Sequence, residues 1–424
     1  MQAPELLAPA GNLNNLRYAI AYGADAVYAG MPRYSLRVRN NDFNRIENLT
    51  AGIDAVHASG KSFFLASNVL PHNSKVRTFL ADMEPVMALG PDALIMADPG
   101  LILLVRERWP DIPVHLSVQA NTMNYASVRF WQQLGIRRII LSRELSLDQV
   151  EEIRQACPDI ELEVFVHGAL CIAYSGRCLL SGYFNHRDAN QGTCTNSCRW
   201  DYKVSEASID ISGDIRPARI GLIEETGRPG ELMPVEEDEH GTYILNSRDL
   251  RAVQHVERLV RMGVDSLKIE GRTKSHYYVA RTAQVYRRAI DDAVAGRPFD
   301  PALLGSLDNL ASRGYTDGFF QRHHDHEYQN YIDGHSNSVM QRFVGELLGY
   351  DPHSGLAEVE VKNKFRVGDQ LELISPQGNR SFQLQTMQDQ NGAPMQEAPG
   401  AGYRVKIPLS SGNYDKALLA RTLP

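Results

Sequence analysis

The chain has 424 residues, of which 43% are hydrophobic and 22% charged, and its formal net charge is −7. This composition excludes long disordered or low-complexity tracts, and the length predicts two or three folded domains. No apolar run approaches the roughly 20 residues that span a bilayer, and the N-terminus, MQAPELLAPAG, lacks the basic and apolar regions of a signal peptide. We therefore expect a cytoplasmic protein without membrane segments.

The negative net charge does not exclude a nucleic-acid partner. The acidic residues concentrate in residues 201–240, and the charges of the rest of the chain balance. A locally basic face is therefore compatible with the sequence.

Eight short β-rich runs alternate with helical stretches between the N-terminus and residue 271. Several follow a glycine, which suits the left-handed position just past a helix end. Their near-continuous hydrophobicity is typical of strands buried on both faces. In chain order, the predicted strands lie within residues 5–11, 24–30, 61–68, 91–98, 114–120, 136–143, 162–168 and 264–271.

This count and order predict an α/β fold, a parallel (β/α)8 barrel of the TIM type rather than an open doubly wound sheet. A ninth candidate strand, TYILNS at residues 242–247, either belongs to an inserted segment or replaces one of the eight. We predict that the barrel domain spans residues 1–300 and carries a cysteine-containing, acidic insertion at residues 168–241.

The residue pattern of the sequence changes after the predicted barrel. Residues 301–337 are polar and irregular and predict a linker. Residues 338–424 consist of short alternating runs, such as LAEVEVKNKF, separated by Gly, Pro and Asn. This pattern predicts a small C-terminal all-β barrel domain.

Four of the five cysteines cluster in the predicted insertion: Cys171, Cys178, Cys194 and Cys198. In a reducing compartment such a group indicates metal binding or catalysis rather than disulfides. Structural zinc sites usually use pairs two to four residues apart, which only the second pair satisfies, and four thiolates also suit an iron–sulfur cluster. The spacing leaves both metals open, but the apolar and aromatic surroundings favour a redox centre.

Polar residues end several predicted strands. The C-terminal ends of barrel strands form the catalytic face, so we predict that these side chains contact substrate. They are Asn68, Gln119, Asn121, Arg143 and Arg272. Arg37 and Arg39, after the second strand, are further candidates because guanidinium groups bind carboxylates or phosphates bidentately, although they also fit a solvated loop.

The catalytic candidates lie on the last two predicted strands. Lys268 and Glu270 alternate, so both face the barrel interior, and we expect an ion pair near a ligand, with a structural salt bridge as the alternative. His167 is either a proton donor or substrate contact, or a structural histidine. The sequence contains no H-E-x-x-H zinc motif, no G-x-S-x-G elbow and no glycine-rich phosphate loop.

The segment EVFVHGALCIAYSGRCLLS, residues 163–181, resembles the signature of the collagenase-like peptidase family U32. That signature has the form E-x-F-x-x-G-[SA]-[LIVM]-C-x4-G-x-C-x-[LIVM]-S. The resemblance extends over nearly all the chain, through stretches such as QGTCTNSCRW and SLKIEGRTKS, and is to the bacterial members that hydroxylate tRNA.

The resemblance implies a prephenate-dependent, oxygen-independent tRNA hydroxylase that forms 5-hydroxyuridine at the wobble position. The four clustered cysteines would hold a 4Fe-4S cluster, with zinc as the alternative, and prephenate would be the co-substrate. The partners would be tRNA and the iron–sulfur assembly machinery. Two alternatives stand beside it: a peptidase with Cys171 as nucleophile and His167 as base, and a zinc-stabilised RNA-binding scaffold.

Overall fold

The structure is a computed structural model. It describes residues 2–36, 41–170, 249–310, 312, 314–321 and 341–423, together with the backbone of five short strands between residues 208 and 243.

Eight parallel strands close a barrel. The first seven pair in chain order, and the eighth pairs with both the first and the seventh. The strands are β1 (Glu5–Pro9), β2 (Ala26–Gly30), β3 (Ser62–Ser67), β4 (Ala93–Met96), β5 (Val114–Leu116), β6 (Arg138–Ile140), β7 (Glu161–Ala169) and β8 (Ser266–Ile269). They are the eight that the sequence predicted, so the TIM-like barrel is confirmed.

Helices alternate with the strands around the barrel. They are α1 (Leu13–Ala21), α2 (Ile46–Ala58), α3 (Asn73–Met87), α4 (Pro99–Arg108), α5 (Tyr125–Gln133), α6 (Leu147–Ala156), α7 (Val256–Met262), α8 (His276–Val294) and α9 (Ala302–Asp308). Gly263 shows how they end: it has φ of 80° and its N–H bonds back to the last turn of α7. In the described ranges, no helix is long and apolar enough to cross a membrane.

Strand register decides which side chains face the barrel interior. Lys268 is level with Leu7, Tyr28 with Phe64, and His115 with Arg138. Register partners in a parallel sheet share a face, so several charged and aromatic side chains point inward from neighbouring strands. The interior of this barrel is therefore partly ionic.

The chain leaves the barrel after β7 and rejoins it beside the same strand. The strand Asp249–Arg251 pairs antiparallel with the end of β7, with Asp249 opposite Ala169. In the intervening segment, the strand Leu232–Asp238 pairs with Gly221–Glu224 and with Gly241–Tyr243. The ninth candidate strand thus begins inside the inserted segment and replaces no barrel strand.

The C-terminal part is an antiparallel half-barrel with its own apolar core. Its six-stranded sheet contains Gln341–Asp351, Leu356–Val361, Gln370–Ile374, Arg380–Gln383, Arg404–Pro408 and Leu418–Thr422. Its core includes Val359, Phe365 and Leu419, which are fully buried. The predicted small all-β C-terminal domain is confirmed.

Helix α8 joins the two parts. Arg281, 1% exposed, forms two parallel bonds to Glu372 of the half-barrel, at 2.8 and 2.6 Å. Tyr277 stacks on Phe343 with 4.9 Å between ring centroids. A buried bidentate ion pair and an aromatic stack thus fix the half-barrel against the outer face of α8.

Candidate active site at the barrel mouth

A network of alternating charges lies inside the barrel. Arg138 Nη1 lies 2.6 Å from Glu5 Oε1 and 3.2 Å from Glu163 Oε2. Lys268 Nζ lies 2.8 Å from Glu163 Oε1. Arg138, Glu163 and Lys268 are buried, and each is paired with an opposite charge. Such a network is costly to disturb, because removing one member leaves another charge buried and uncompensated.

Lys268 is held by more than its ion pair. Its ammonium lies 4.4 Å from the centre of the Tyr28 ring and 5.4 Å from that of Phe165. Burial lowers the pKa of Lys268, and the neighbouring Glu163 carboxylate opposes that shift. The direct partner of Lys268 is thus Glu163 of β7, rather than Glu270.

Glu270 pairs instead with Arg143, across the mouth of the barrel. Arg143 Nη2 lies 3.5 Å from Glu270 Oε2, and its guanidinium lies 3.8 Å from the centre of the Phe165 ring. Arg143 also donates a 3.0 Å bond to the carbonyl of Ala169 at the end of β7. The structure thus brings together Arg143, Glu270 and Lys268, since Phe165 touches both cations.

Arg272 also lies near Tyr28, with its guanidinium carbon 5.7 Å from the centre of the ring. Its Nη1 donates a 2.7 Å bond to Ser35 Oγ, and the residue is 8% exposed. A Cβ at Gly30 would lie 2.8 Å from this guanidinium nitrogen, so a larger residue there would displace Arg272 from its present position. Arg37 and Arg39 lie outside the described residues.

The loop after β5 carries two of the predicted amides. Gln119 lies in a single 3₁₀ turn, and Asn121 ends that turn in the left-handed region, with φ 50° and ψ 53°. Asn68, at the end of β3, donates a 3.3 Å bond to Ser117 Oγ at the start of the loop. All three amides therefore lie at the C-terminal end of the barrel.

His167 lies in a different environment. Phe165 is level with Lys268, but His167 is level with Ile269, so a bulge at Val166 turns the histidine away from the interior. The ring is buried among Tyr278, Tyr286 and Tyr315, with centroids 5.5–5.7 Å away.

The chemistry of His167 follows from this burial. Its Nδ1 lies 3.3 Å from the Tyr286 hydroxyl, and desolvation lowers the pKa of His167 to about 3. A neutral histidine with so low a pKa is a poor general base or proton donor near pH 7. The position favours the structural alternative over the catalytic role for His167.

Sequence reasoning gave no role to Glu163, Arg138 or Ser117. Glu163 interrupts the apolar run LEVFVHG, and Arg138 interrupts IRRIILSR. A charged residue in a strand that is buried on both faces needs an opposite charge nearby. The same reasoning identified Lys268 from the sequence. Ser117 carries no comparable signal, because a serine is unremarkable at a strand end.

Cys171, Cys178, Cys194 and Cys198 lie outside the described residues, so the metal site stays a prediction. Among the residues that the structure describes, no group of three or more His, Cys, Asp or Glu side chains could hold a metal ion. Cys157 is a free, buried thiol, with Sγ 3.6 Å from the carbonyl of Tyr125.

Comparison with known proteins shows that two family models match the chain, one over the barrel and one over the half-barrel. The model of peptidase family U32 matches residues 11–330, and that of the U32 C-terminal domain matches residues 340–421. The chain belongs to peptidase family U32. The family that the signature at residues 163–181 indicated is thereby confirmed.

This U32 chain is similar along most of its length to several named proteins. Over 99% of its length the chain is 60% identical to tRNA hydroxylation protein P of Escherichia coli, covering 97% of that protein. It is 56% identical to tRNA hydroxylation protein P of Haemophilus influenzae, over 99% of the chain and 96% of the relative. A collagenase of Porphyromonas gingivalis is 26% identical over 88% of the chain and 86% of that protein.

Proposed function

We propose that this U32 chain is a tRNA-modifying hydroxylase with its active site at the barrel mouth. The observation that carries the proposal is the 60% identity to tRNA hydroxylation protein P of Escherichia coli along 99% of the chain. The similarity spans the barrel and the half-barrel, so the whole architecture is shared. The charged residues at the mouth, Lys268, Arg143, Glu270 and Arg272, supply a polar site for the reaction.

The proposed product is 5-hydroxyuridine at the wobble position of tRNA. A base enters a recessed protein site only after leaving its stack, and an anticodon loop is already single-stranded, which lowers that cost. The recessed end of a barrel suits such a base. A tRNA substrate is also the basis for proposing a cytoplasmic location.

The proposed hydroxyl donor is prephenate, used without oxygen. Prephenate is a dicarboxylate, and guanidinium groups bind carboxylates bidentately. Arg272 and Arg143 are the described arginines at the mouth, and Arg37 and Arg39 follow β2 in the sequence. We assign the carboxylates of prephenate to this set.

The proposed cofactor is a 4Fe-4S cluster on Cys171, Cys178, Cys194 and Cys198, loaded by the iron–sulfur assembly machinery. Such a cluster supplies single electrons to a bound substrate. The four cysteines begin two residues after Ala169, whose carbonyl accepts a bond from Arg143 at the mouth. The peptidase alternative is weaker, because its base would be His167, whose pKa is lowered to about 3.

Anaerobic metal analysis and a tRNA assay test the proposal together. Pure protein is analysed for iron, sulfide and zinc, and then incubated with prephenate, a reductant and tRNA from cells that lack the protein. We expect iron and sulfide in the protein and 5-hydroxyuridine in digested tRNA by mass spectrometry. Cys171→Ala should lose both, whereas Cys157→Ala, which changes the buried thiol outside the cluster, should keep both.

Three outcomes would each contradict a part of the proposal. Zinc without iron or sulfide would support the RNA-binding scaffold and overturn the cluster. Hydroxylation that persists in Cys171→Ala would overturn the assigned role of the cysteines. Unchanged uridine in every reaction would overturn the hydroxylase.

A further inference from the structure

Gln119 is a buried amide whose hydrogen-bonding groups are unused. The residue is 3% exposed, and within the described part of the chain neither Nε2 nor Oε1 has a hydrogen-bond partner. Burying both an amide donor and an amide acceptor without partners is costly, and native proteins rarely do so outside functional sites. Gln119 is therefore arranged to bind something other than its own protein.

The backbone around Gln119 is fixed at both ends. Ser117 accepts a bond from Asn68 Nδ2 at 3.3 Å, and the N–H of Ala120 bonds back to the Ser117 carbonyl at 3.0 Å. At the other end, the N–H of Ser142 after β6 donates to the carbonyl of Thr122 at 3.2 Å. Hydrogen bonds thus tie the loop after β5 to the ends of β3 and β6.

A second polar group in this loop is also unused. The hydroxyl of Thr122 is buried, and the structure shows no hydrogen-bond partner for it among the described residues. Gln119 and Thr122 are thus two uncharged, unsatisfied polar side chains three residues apart on one anchored loop. They differ in character from the Arg143–Glu270 ion pair and from the Arg272 guanidinium, which is bonded to Ser35.

We propose that the Gln119 amide reads the Watson–Crick edge of a flipped-out pyrimidine, which is the target uracil if the proposed function holds. An amide presents one donor and one acceptor side by side. Uracil presents O4 as acceptor beside N3–H as donor, so the two edges are complementary in a bidentate pair. Such a pair leaves C5 of the base unblocked, which the proposed hydroxylation requires.

The neutrality of Gln119 supports a base rather than the anionic co-substrate. Carboxylates and phosphates are best bound by cations, which the mouth supplies through Arg143 and Arg272. A site built to hydrogen-bond a particular edge also rejects analogues that lack it, because its own groups are then left unpaired. Gln119 is thus a specificity residue.

Binding of anticodon stem-loop RNAs tests this role. Two RNAs differ only at the wobble position: one carries uridine, and the other carries the riboside of pyrimidin-2-one, which lacks O4 and the hydrogen on N3 without added bulk. Affinity is measured anaerobically by fluorescence anisotropy at fixed salt. We expect the wild type to prefer uridine by about 10- to 100-fold, the range of one bidentate base contact.

The variants then assign the preference to Gln119. Gln119→Met and Gln119→Leu, whose side chains neither donate nor accept hydrogen bonds, should bind the two RNAs alike. Gln133→Met, on the exposed end of α5, should keep it. Circular dichroism confirms that the variants fold, and the two apolar replacements, one unbranched and one branched, provide two independent routes to the same answer.

The remaining outcomes would contradict this inference, the proposed function or both. A uridine preference retained in either Gln119 variant, or absent from a wild type that hydroxylates tRNA, would overturn this inference and leave the proposed function standing. A wild type that neither binds the uridine stem-loop nor modifies tRNA would overturn both.

Discussion

Lys268 Nζ and Glu163 Oε1 lie 2.8 Å apart, and both side chains are buried inside the barrel. The pair stands between the Arg138 network beneath it and the Arg143–Glu270 pair above it. It therefore fixes where the lysine ammonium lies relative to the mouth.

Replacing Glu163 by Gln should destabilise the protein strongly. The change leaves Lys268 as a buried cation without its partner, and breaking such a pair costs about 3–5 kcal/mol. Urea unfolding of the whole chain measures the loss. Glu84→Gln is the control, since its pair with Arg108 is half exposed and worth under about 1 kcal/mol. Equal losses in the two variants would contradict the structural reading of the pair.

A double variant separates stability from activity. Adding Lys268→Met to Glu163→Gln removes the stranded cation, so we expect most of the lost stability to return. Hydroxylation of tRNA should not return, because Lys268 is proposed to act at the mouth. Full activity in the double variant would show that Lys268 is structural.

The burial of His167 should make the protein less stable in mild acid. Its pKa is lowered from 6.5 to about 3 by desolvation, so below pH 6.5 the unfolded chain binds a proton that the folded chain excludes. Between pH 8 and pH 5 this removes about 2 kcal/mol of the free energy of unfolding. His167→Phe should lack that part of the pH dependence in urea unfolding at the two pH values. An identical pH dependence in the variant would contradict the assignment.

The interface between barrel and half-barrel should depend on Arg281. Arg281→Met leaves Glu372 without its buried bidentate partner and should cost about 3–5 kcal/mol. Arg288→Met, on the same helix, removes an exposed pair with Asp300 and should cost under about 1 kcal/mol. Thermal unfolding of the full chain compares the two. Matching effects would mean that the buried pair contributes no more than a surface pair.

Arg272→Lys tests the proposed binding of prephenate. Lysine keeps the charge but loses the planar fork, so the KM for prephenate should rise by about 10-fold while kcat changes less. Arg108→Lys, exposed on α4, should leave both unchanged. A normal KM in Arg272→Lys would remove Arg272 from the prephenate site.

Much of the barrel could be predicted because its signals are local. Each strand is a short apolar run, and glycines such as Gly23 and Gly263 adopt the positive φ that ends a helix before the next strand, at 101° and 80°. These features need only a few neighbouring residues. The order of the strands then left few alternatives to a closed parallel barrel.

The site was harder to predict from the sequence, because the residues that pair with one another in it come from distant parts of the chain. Lys268 could be identified as an inward charge from alternation, but its partner Glu163 is 105 residues away and on another strand. His167 has the same parity as Phe165, and only the bulge at Val166 turns it outward. A bulge is set by the pairing of two strands, and so a single strand sequence does not reveal it.

The antiparallel pairing of Asp249 with Ala169 has an evolutionary consequence. The inserted segment begins and ends on neighbouring strands, so its length and sequence can change with little strain on the barrel strands. Proteins that share this barrel can therefore evolve new chemistry by changing one inserted segment while the barrel itself stays the same.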